Sequence, residues 1–297
     1  MRLLVFGRDG QVGTALTAAL APLGEVLAFG RDGADFEVPG TAAALVRRER
    51  PDVVVNAAAY TAVDKAESEP ARARQINAVA PGEVARAAAE VGARLIHYST
   101  DYVFDGEKPS AYVETDATAP LNVYGVSKRD GEVAVLQAGP HFVLRTSWVH
   151  APGGNNFIAK ILSLAQSREE LKVIDDQVGA PTSARLIAET TATLIDRLAG
   201  EHQPPPGIYH LAASGETSWN GYARFIVDAA SRAGLALRAR PEAVLPVPSS
   251  AFPTPARRPR SSRLATLKLR DALGIELPDW REDVLGTLRT LVPETAS

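Results

Sequence analysis

Arg2-Leu3-Leu4-Val5-Phe6-Gly7-Arg8-Asp9-Gly10-Gln11-Val12-Gly13 opens the chain, and its reading decides the fold. The apolar run Leu3-Leu4-Val5-Phe6 ends in glycine, after which Val12, Leu16 and Leu20 recur four residues apart on one helical face. A strand, a glycine turn and a helix are expected. Glycines spaced GxxGxxG let a backbone turn tightly, and the helix start beyond them offers unpaired N–H groups and a positive dipole end to a phosphate. The same spacing also suits an ordinary strand-to-helix turn.

Working outward, strands are expected at 25–29, 53–55, 94–99 and 142–146, and helices at 41–50, 66–77, 81–91 and 124–137. Val53-Val54-Val55 is a β-branched run of the kind buried on both faces of a sheet. Strand and helix alternating in this way predict an α/β fold with a doubly wound parallel sheet. Beyond residue 150 the rhythm weakens. Helices are expected at 156–166, 184–198 and 218–233, a strand at 208–211 and a loop at 203–207. Residues 238–263 hold six prolines and six arginines, which predicts an extended surface loop.

Composition narrows the chemistry. The chain has 297 residues and no cysteine, so disulfides, thiolate nucleophiles and Cys-ligated metals are excluded. Basic and acidic residues number 15 and 19 in the first 150 positions and 17 and 16 in the rest, so neither half is a polybasic nucleic-acid binder. The first apolar run is too short for a signal peptide and nothing later approaches a membrane span, so a cytoplasmic protein without nucleic-acid or membrane partners is expected.

Three further features carry chemistry. The second strand ends Phe29-Gly30-Arg31-Asp32, with glycine and arginine where an acid would hold the ribose 2′-OH of NAD. Arg31 can pair with a 2′-phosphate, which points to NADPH, whereas Asp32 or Asp35 on the ribose would allow NADH. Tyr124-Gly125-Val126-Ser127-Lys128 sets a phenol and an amine four residues apart on one helical face, and a phenol that works near neutral pH needs such a cation. Thr100, at the end of the fourth strand, can donate a hydrogen bond to a substrate carbonyl or simply satisfy the strand-end backbone.

Together the GxxGxxG loop, Asn56-Ala57-Ala58-Ala59, Ser99-Thr100 and the YxxxK pair resemble the extended short-chain dehydrogenase/reductase superfamily. Longer phrases are similar to the dTDP-4-dehydrorhamnose reductase family: Thr61-Ala62-Val63-Asp64-Lys65-Ala66-Glu67, Ser99-Thr100-Asp101-Tyr102-Val103-Phe104, Pro120-Leu121-Asn122-Val123-Tyr124-Gly125, Arg145-Thr146-Ser147-Trp148, Asn155-Asn156-Phe157 and Pro253-Thr254-Pro255-Ala256-Arg257-Arg258-Pro259. The resemblance implies a Rossmann-type domain over residues 1–150 and a smaller α/β substrate domain over 151–297, with some segments returning to the first. It implies reduction of a dTDP-4-keto-6-deoxy sugar, with Tyr124 as proton donor, Lys128 holding the nicotinamide ribose and lowering the phenol pKa, Tyr124 and Lys128 both meeting the cofactor, and Thr100 orienting the carbonyl. By matching motif, Gly7, Gly10, Gln11 and Val12 would face the pyrophosphate and Asp35 and Phe36 the adenosine. Ala59, Tyr60, Thr61 and Tyr98 would line the cofactor cleft, and Asp101, Trp148 and Arg258 would meet the substrate.

Some family members dimerise around magnesium held by glutamates. The corresponding Gly13-Thr14-Ala15-Leu16 and Pro181-Thr182-Ser183-Ala184-Arg185 carry no acids, so no bridging metal and a monomer or weak homodimer are expected. Two other readings stay open: a nucleotide-binding regulatory subunit resembling that of methionine adenosyltransferase, and a 4-ketoreductase for another dTDP-deoxysugar.

Overall fold

A computed structural model describes residues 1–154 and 156–291; Asn155 of the Asn-Asn-Phe phrase and residues 292–297 of the expected second domain lie outside the described residues. Its main sheet contains β1 (Arg2–Phe6), β2 (Glu25–Phe29), β3 (Val53–Asn56), β4 (Arg94–Thr100), β5 (Phe142–Thr146) and the strand Gly207–His210. All pair in parallel, in the order Gly207–His210, β5, β4, β3, β1, β2. The order changes direction between β1 and β3, and the crevice outside such a switch point is where open α/β sheets bind ligands.

The strands read as expected because alternate side chains enter two separate cores. Leu3, Val5, Val53, Val55, Ile96 and Leu144 point to one face, and Leu4, Phe6, Val54, Leu95 and Val143 to the other. Helices α1 (Gln11–Leu20) and Ala184–Leu198 pack together over the first face, α2 (Thr41–Glu49) and Ala80–Glu90 over the second. Each fully buried Val or Leu contributes roughly 1.5–3 kcal/mol through apolar burial.

Two helices begin one residue later than periodicity predicts, because the first residue is a cap. Asn156 accepts the Ala159 N–H at 3.2 Å and Ser218 the Gly221 N–H at 3.0 Å, each in extended backbone. The helix expected over 66–77 is instead interrupted. Val63–Ala66 stops, and Pro70, whose missing N–H suits the start of a helix, opens Pro70–Arg74. A wide π turn over Gln75–Val79 then leads into Ala80–Glu90, relieving the clash that Pro81 would make inside a regular helix. The 238–263 segment is not wholly loop: Val244–Val247 pairs in parallel with Leu171–Ile174, an edge ladder that tolerates Pro246. Among the described residues no helix is long and apolar enough to cross a membrane.

Behind the carboxyl edge lies a buried ion pair. Arg145 on β5 reaches Glu132 of the Val123–Ala138 helix with both arms, at 2.8 and 2.6 Å, and stacks on the Phe104 ring. Glu132→Ala strands the guanidinium without a partner and should cost about 3–5 kcal/mol in urea unfolding. A loss below about 1 kcal/mol would show that the pair is not holding β5 to the helix.

Candidate active site

β4 ends at Thr100, which lies in register with Thr146 at the end of β5. The helix Val123–Ala138 starts against this edge. Asn122 caps it by accepting the Gly125 N–H at 2.8 Å, and donates to the Arg257 carbonyl at 2.7 Å. A Cβ on Gly125 would lie 2.2 Å from the Tyr102 carbonyl, so glycine is what lets the helix close on the loop after β4. The approach sets Tyr124 edge-on to Tyr102, ring centroids 5.7 Å apart, and within the influence of the Thr100 hydroxyl.

Burial pushes the Tyr124 phenol up to about 12; the Thr100 hydroxyl pulls it down and the Asp101 charge adds to the rise. Near neutral pH it carries its proton. One turn on, the buried Lys128 amine donates to the Tyr98 carbonyl at 2.6 Å and lies 3.5 Å from His97 Nε2. Burial lowers its pKa to about 8, against an upward pull from Glu132 one turn further along.

Asp101 does not face open space. Only 3% exposed, it accepts the Thr100 hydroxyl at 2.9 Å on Oδ1 and the Ser262 hydroxyl on Oδ2. Desolvation raises its pKa to about 6, opposed by those two hydrogen bonds. Asp101, expected at the sugar, holds the Thr100 and Ser262 hydroxyls here, and each of its oxygens keeps a lone pair for a further donor. Arg258, expected at the substrate, gives its fork to Asp64 at 2.9 and 2.7 Å. Arg258 holds the Asp64 carboxyl below its usual range. Tyr98 is also expected at the cofactor cleft, and its phenol is buried. Alternation along β4 sends it into the first core, where it meets the Thr191 hydroxyl at 2.6 Å.

The nucleotide groove follows the glycine loop. Gly7 has φ +84°, and a Cβ there would lie 2.6 Å from the Ala58 nitrogen, so backbone packs directly on backbone where β1 and β3 diverge. No side chain caps α1 at Gly10, leaving its first N–H groups to a ligand. A groove of about 460 Å³ brings together Gly7, Gly10, Arg31, Asp35, Phe36, Ala59, Tyr60 and Thr61. Gln11 flanks it, accepting from the Asn156 amide at 3.1 Å, while the Val12 side chain packs on the core. Arg31 is largely exposed with Glu37 at 3.5 Å, and Arg72, not foreseen from sequence, also lines the groove and pairs with Glu37 at 2.6 Å. Trp148, two residues past Thr146, takes φ +48° and stacks on Trp219 at 3.6 Å, with Gly179 packed close against its ring.

The RmlD substrate binding domain family model matches residues 1–292. The chain is 50% identical to dTDP-4-dehydrorhamnose reductase of Escherichia coli (strain K12) over 301 aligned positions, covering all of both chains. The enzyme of that name from Streptomyces griseus is 41% identical, over 94% of this chain and 90% of its own. The chain belongs to the dTDP-4-dehydrorhamnose reductase family. Among solved structures, the Clostridium acetobutylicum member superposes with a TM-score of 0.90 at 33% identity, over 98% of this chain and 99% of its own. A Bacillus anthracis member, solved in complex with NADP, gives 0.86 at 34% identity, over 97% and 98%.

Ser262, Asp64 and Trp219 escaped sequence reading because each acts through a partner far along the chain. His97 left a signal, since alternation on β4 turns its side chain and not that of Tyr98 toward the Val123–Ala138 helix.

Two measurements follow from these contacts. Asp101 titrates near 6 when folded against 3.8 when free, so the folded state holds its proton more tightly. Its contribution is present below 3.8 and lost as pH rises through about 6, on the order of 2–3 kcal/mol. Unfolding of wild type and Asp101→Asn at acid and neutral pH should show that difference in slope; parallel curves would remove Asp101 as its source. A double-mutant cycle with Asp64→Ala and Arg258→Ala should give a coupling of about 1 kcal/mol, and zero coupling would mean the partly exposed pair does not hold the loop.

Proposed function

We propose that this protein reduces the 4-keto group of dTDP-4-dehydro-L-rhamnose, giving dTDP-L-rhamnose, with NADPH as reductant and Tyr124 as proton donor. The observation that carries this reading is the meeting of Thr100, Tyr124 and Lys128 at the end of β4, beside a glycine groove, in a chain that matches named reductases over its full length.

The residues present fit a dinucleotide. Glycine at position 7, the uncapped start of α1 and the cations Arg31 and Arg72 suit a pyrophosphate and a 2′-phosphate. NADPH, when bound, supplies the hydride. The chain's own residues manage the oxygen that gains charge. Tyr124, protonated near neutral pH, hands its proton to that oxygen, and Lys128 supports the phenolate left behind. The Thr100 hydroxyl rotates about one bond, so the proton it gives Asp101 can be turned to the substrate carbonyl. Trp148, fixed by Trp219, offers a partly exposed ring to the sugar.

On the same reading, residues 1–150 bind nucleotide and 151–297 hold the sugar, although Gly207–His210 and Ala184–Leu198 lie with the first unit. The protein then works in the cytoplasm as a monomer or weak homodimer without a bridging magnesium.

Incubation with dTDP-4-keto sugar and NADPH should consume the nicotinamide absorbance, and NMR should identify the rhamno product. Tyr124→Phe should lower kcat by about 10²–10⁴ while NADPH still binds. Wild type that binds NADPH but leaves the sugar untouched, or undiminished turnover in Tyr124→Phe, would sink the reading.

A further inference from the structure

His97 is fully buried on β4, and the mechanism above gives it no task. Its surroundings fix which ring nitrogen holds the proton. Asn56, at the end of β3, accepts the Ala58 N–H on Oδ1 at 3.0 Å. Turning the amide over would set two donors face to face, so Nδ2 must be the atom 3.1 Å from His97 Nδ1. An amide NH2 only donates, hence Nδ1 accepts and carries no proton. A fully buried imidazole, held neutral by desolvation and by the neighbouring Lys128 charge, then bears its single proton on Nε2.

Nε2 lies 3.5 Å from the Lys128 amine, which already donates to the Tyr98 carbonyl at 2.6 Å. An N–H pointed at an ammonium opposes one donor to another. Pointed at a neutral amine, it meets a lone pair. We propose that His97 is a positioning residue for the reduction: locked by Asn56 with its proton on Nε2, it turns an N–H toward Lys128 and weakens the lysine's hold on its third proton. The ammonium that supports the Tyr124 phenolate thereby becomes a ready donor for restoring the phenol. The other groups facing Lys128 are Tyr124 and Glu132 from its own helix, Glu132 being held by Arg145; β4 adds only the Tyr98 carbonyl. The Asn77 amide, from the wide turn packed against this helix, is spent on Ser127 and Tyr60. The ring N–H is therefore the group placed to oppose the charge.

The inference rests on the role proposed for Lys128, but its first test needs no turnover. Long-range 1H–15N correlation of histidine-labelled full-length protein, with His97→Phe assigning the signals, should show Nδ1 bare and Nε2 protonated across neutral pH. A proton on Nδ1, or an imidazolium, overturns the proposal while leaving the reductase reading to stand or fall on NADPH consumption. The wild-type spectrum decides this even where a variant fails to fold.

In Asn56→Asp the carboxylate can accept both the Ala58 N–H and a proton on Nδ1. The tautomer should switch, and the alkaline limb of kcat/KM against pH should move up by about one unit, tenfold in proton affinity. A purely structural role for His97 would depress the rate at every pH without moving the limb. An unmoved limb alongside a switched tautomer overturns the proposal.

Discussion

The site depends on how closely the Val123–Ala138 helix approaches the end of β4. Van der Waals contact between a helix backbone and a loop carbonyl leaves no room for a Cβ, and Gly125 meets that condition at the Tyr102 carbonyl. Gly131 meets it again two turns on, where a Cβ would lie 2.0 Å from the Asn77 carbonyl. With the helix pinned at both points, Tyr124 and Lys128 have little freedom in depth or rotation. The phenol and amine are thus placed by backbone packing, which is stiffer than any side-chain hydrogen bond holding them.

The same approach brings distant chain to the site. Residues 256–262 reach this edge through Ser262 on Asp101, the Arg257 carbonyl on Asn122 and Arg258 on Asp64. Each tie fastens a group that itself positions something else. Asp101 orients Thr100, Asn122 caps the Val123–Ala138 helix, and Asp64 lies on the Val63–Ala66 helix beside the glycine-loop groove. A proline-rich segment suits this work because its backbone loses less entropy on being ordered than a flexible one would.

The sheet was legible because burial on two faces writes itself into sequence as continuous apolar strands, and β1 to β5 lie where Leu3-Leu4-Val5-Phe6, Val53-Val54-Val55 and their successors predict. That Tyr124, Lys128 and Thr100 lie at one edge was legible because their spacing sets them on one helix and at one strand end. The partners of Arg258 and Asp101 were hidden for a common reason. Sequence shows that a charged group is present near a site but not whether a partner has already claimed it, and both partners here lie more than 150 residues away. The π turn before Pro81 was likewise hidden, since a proline signals a break in helix geometry without saying whether the chain turns or the helix widens.

The buried charges of this region separate into two kinds. Arg145 and Glu132 face one another with both arms engaged, so the cost of desolvating each is offset by its partner and the pair behaves as structure. Lys128 is as deeply buried but has no carboxylate within ion-pair distance among the described residues; its contacts are a carbonyl and an imidazole. Stability alone would favour an apolar residue there. A cation kept in so unfavourable a setting has its proton affinity lowered toward neutral pH, which is the property that the role proposed for it asks.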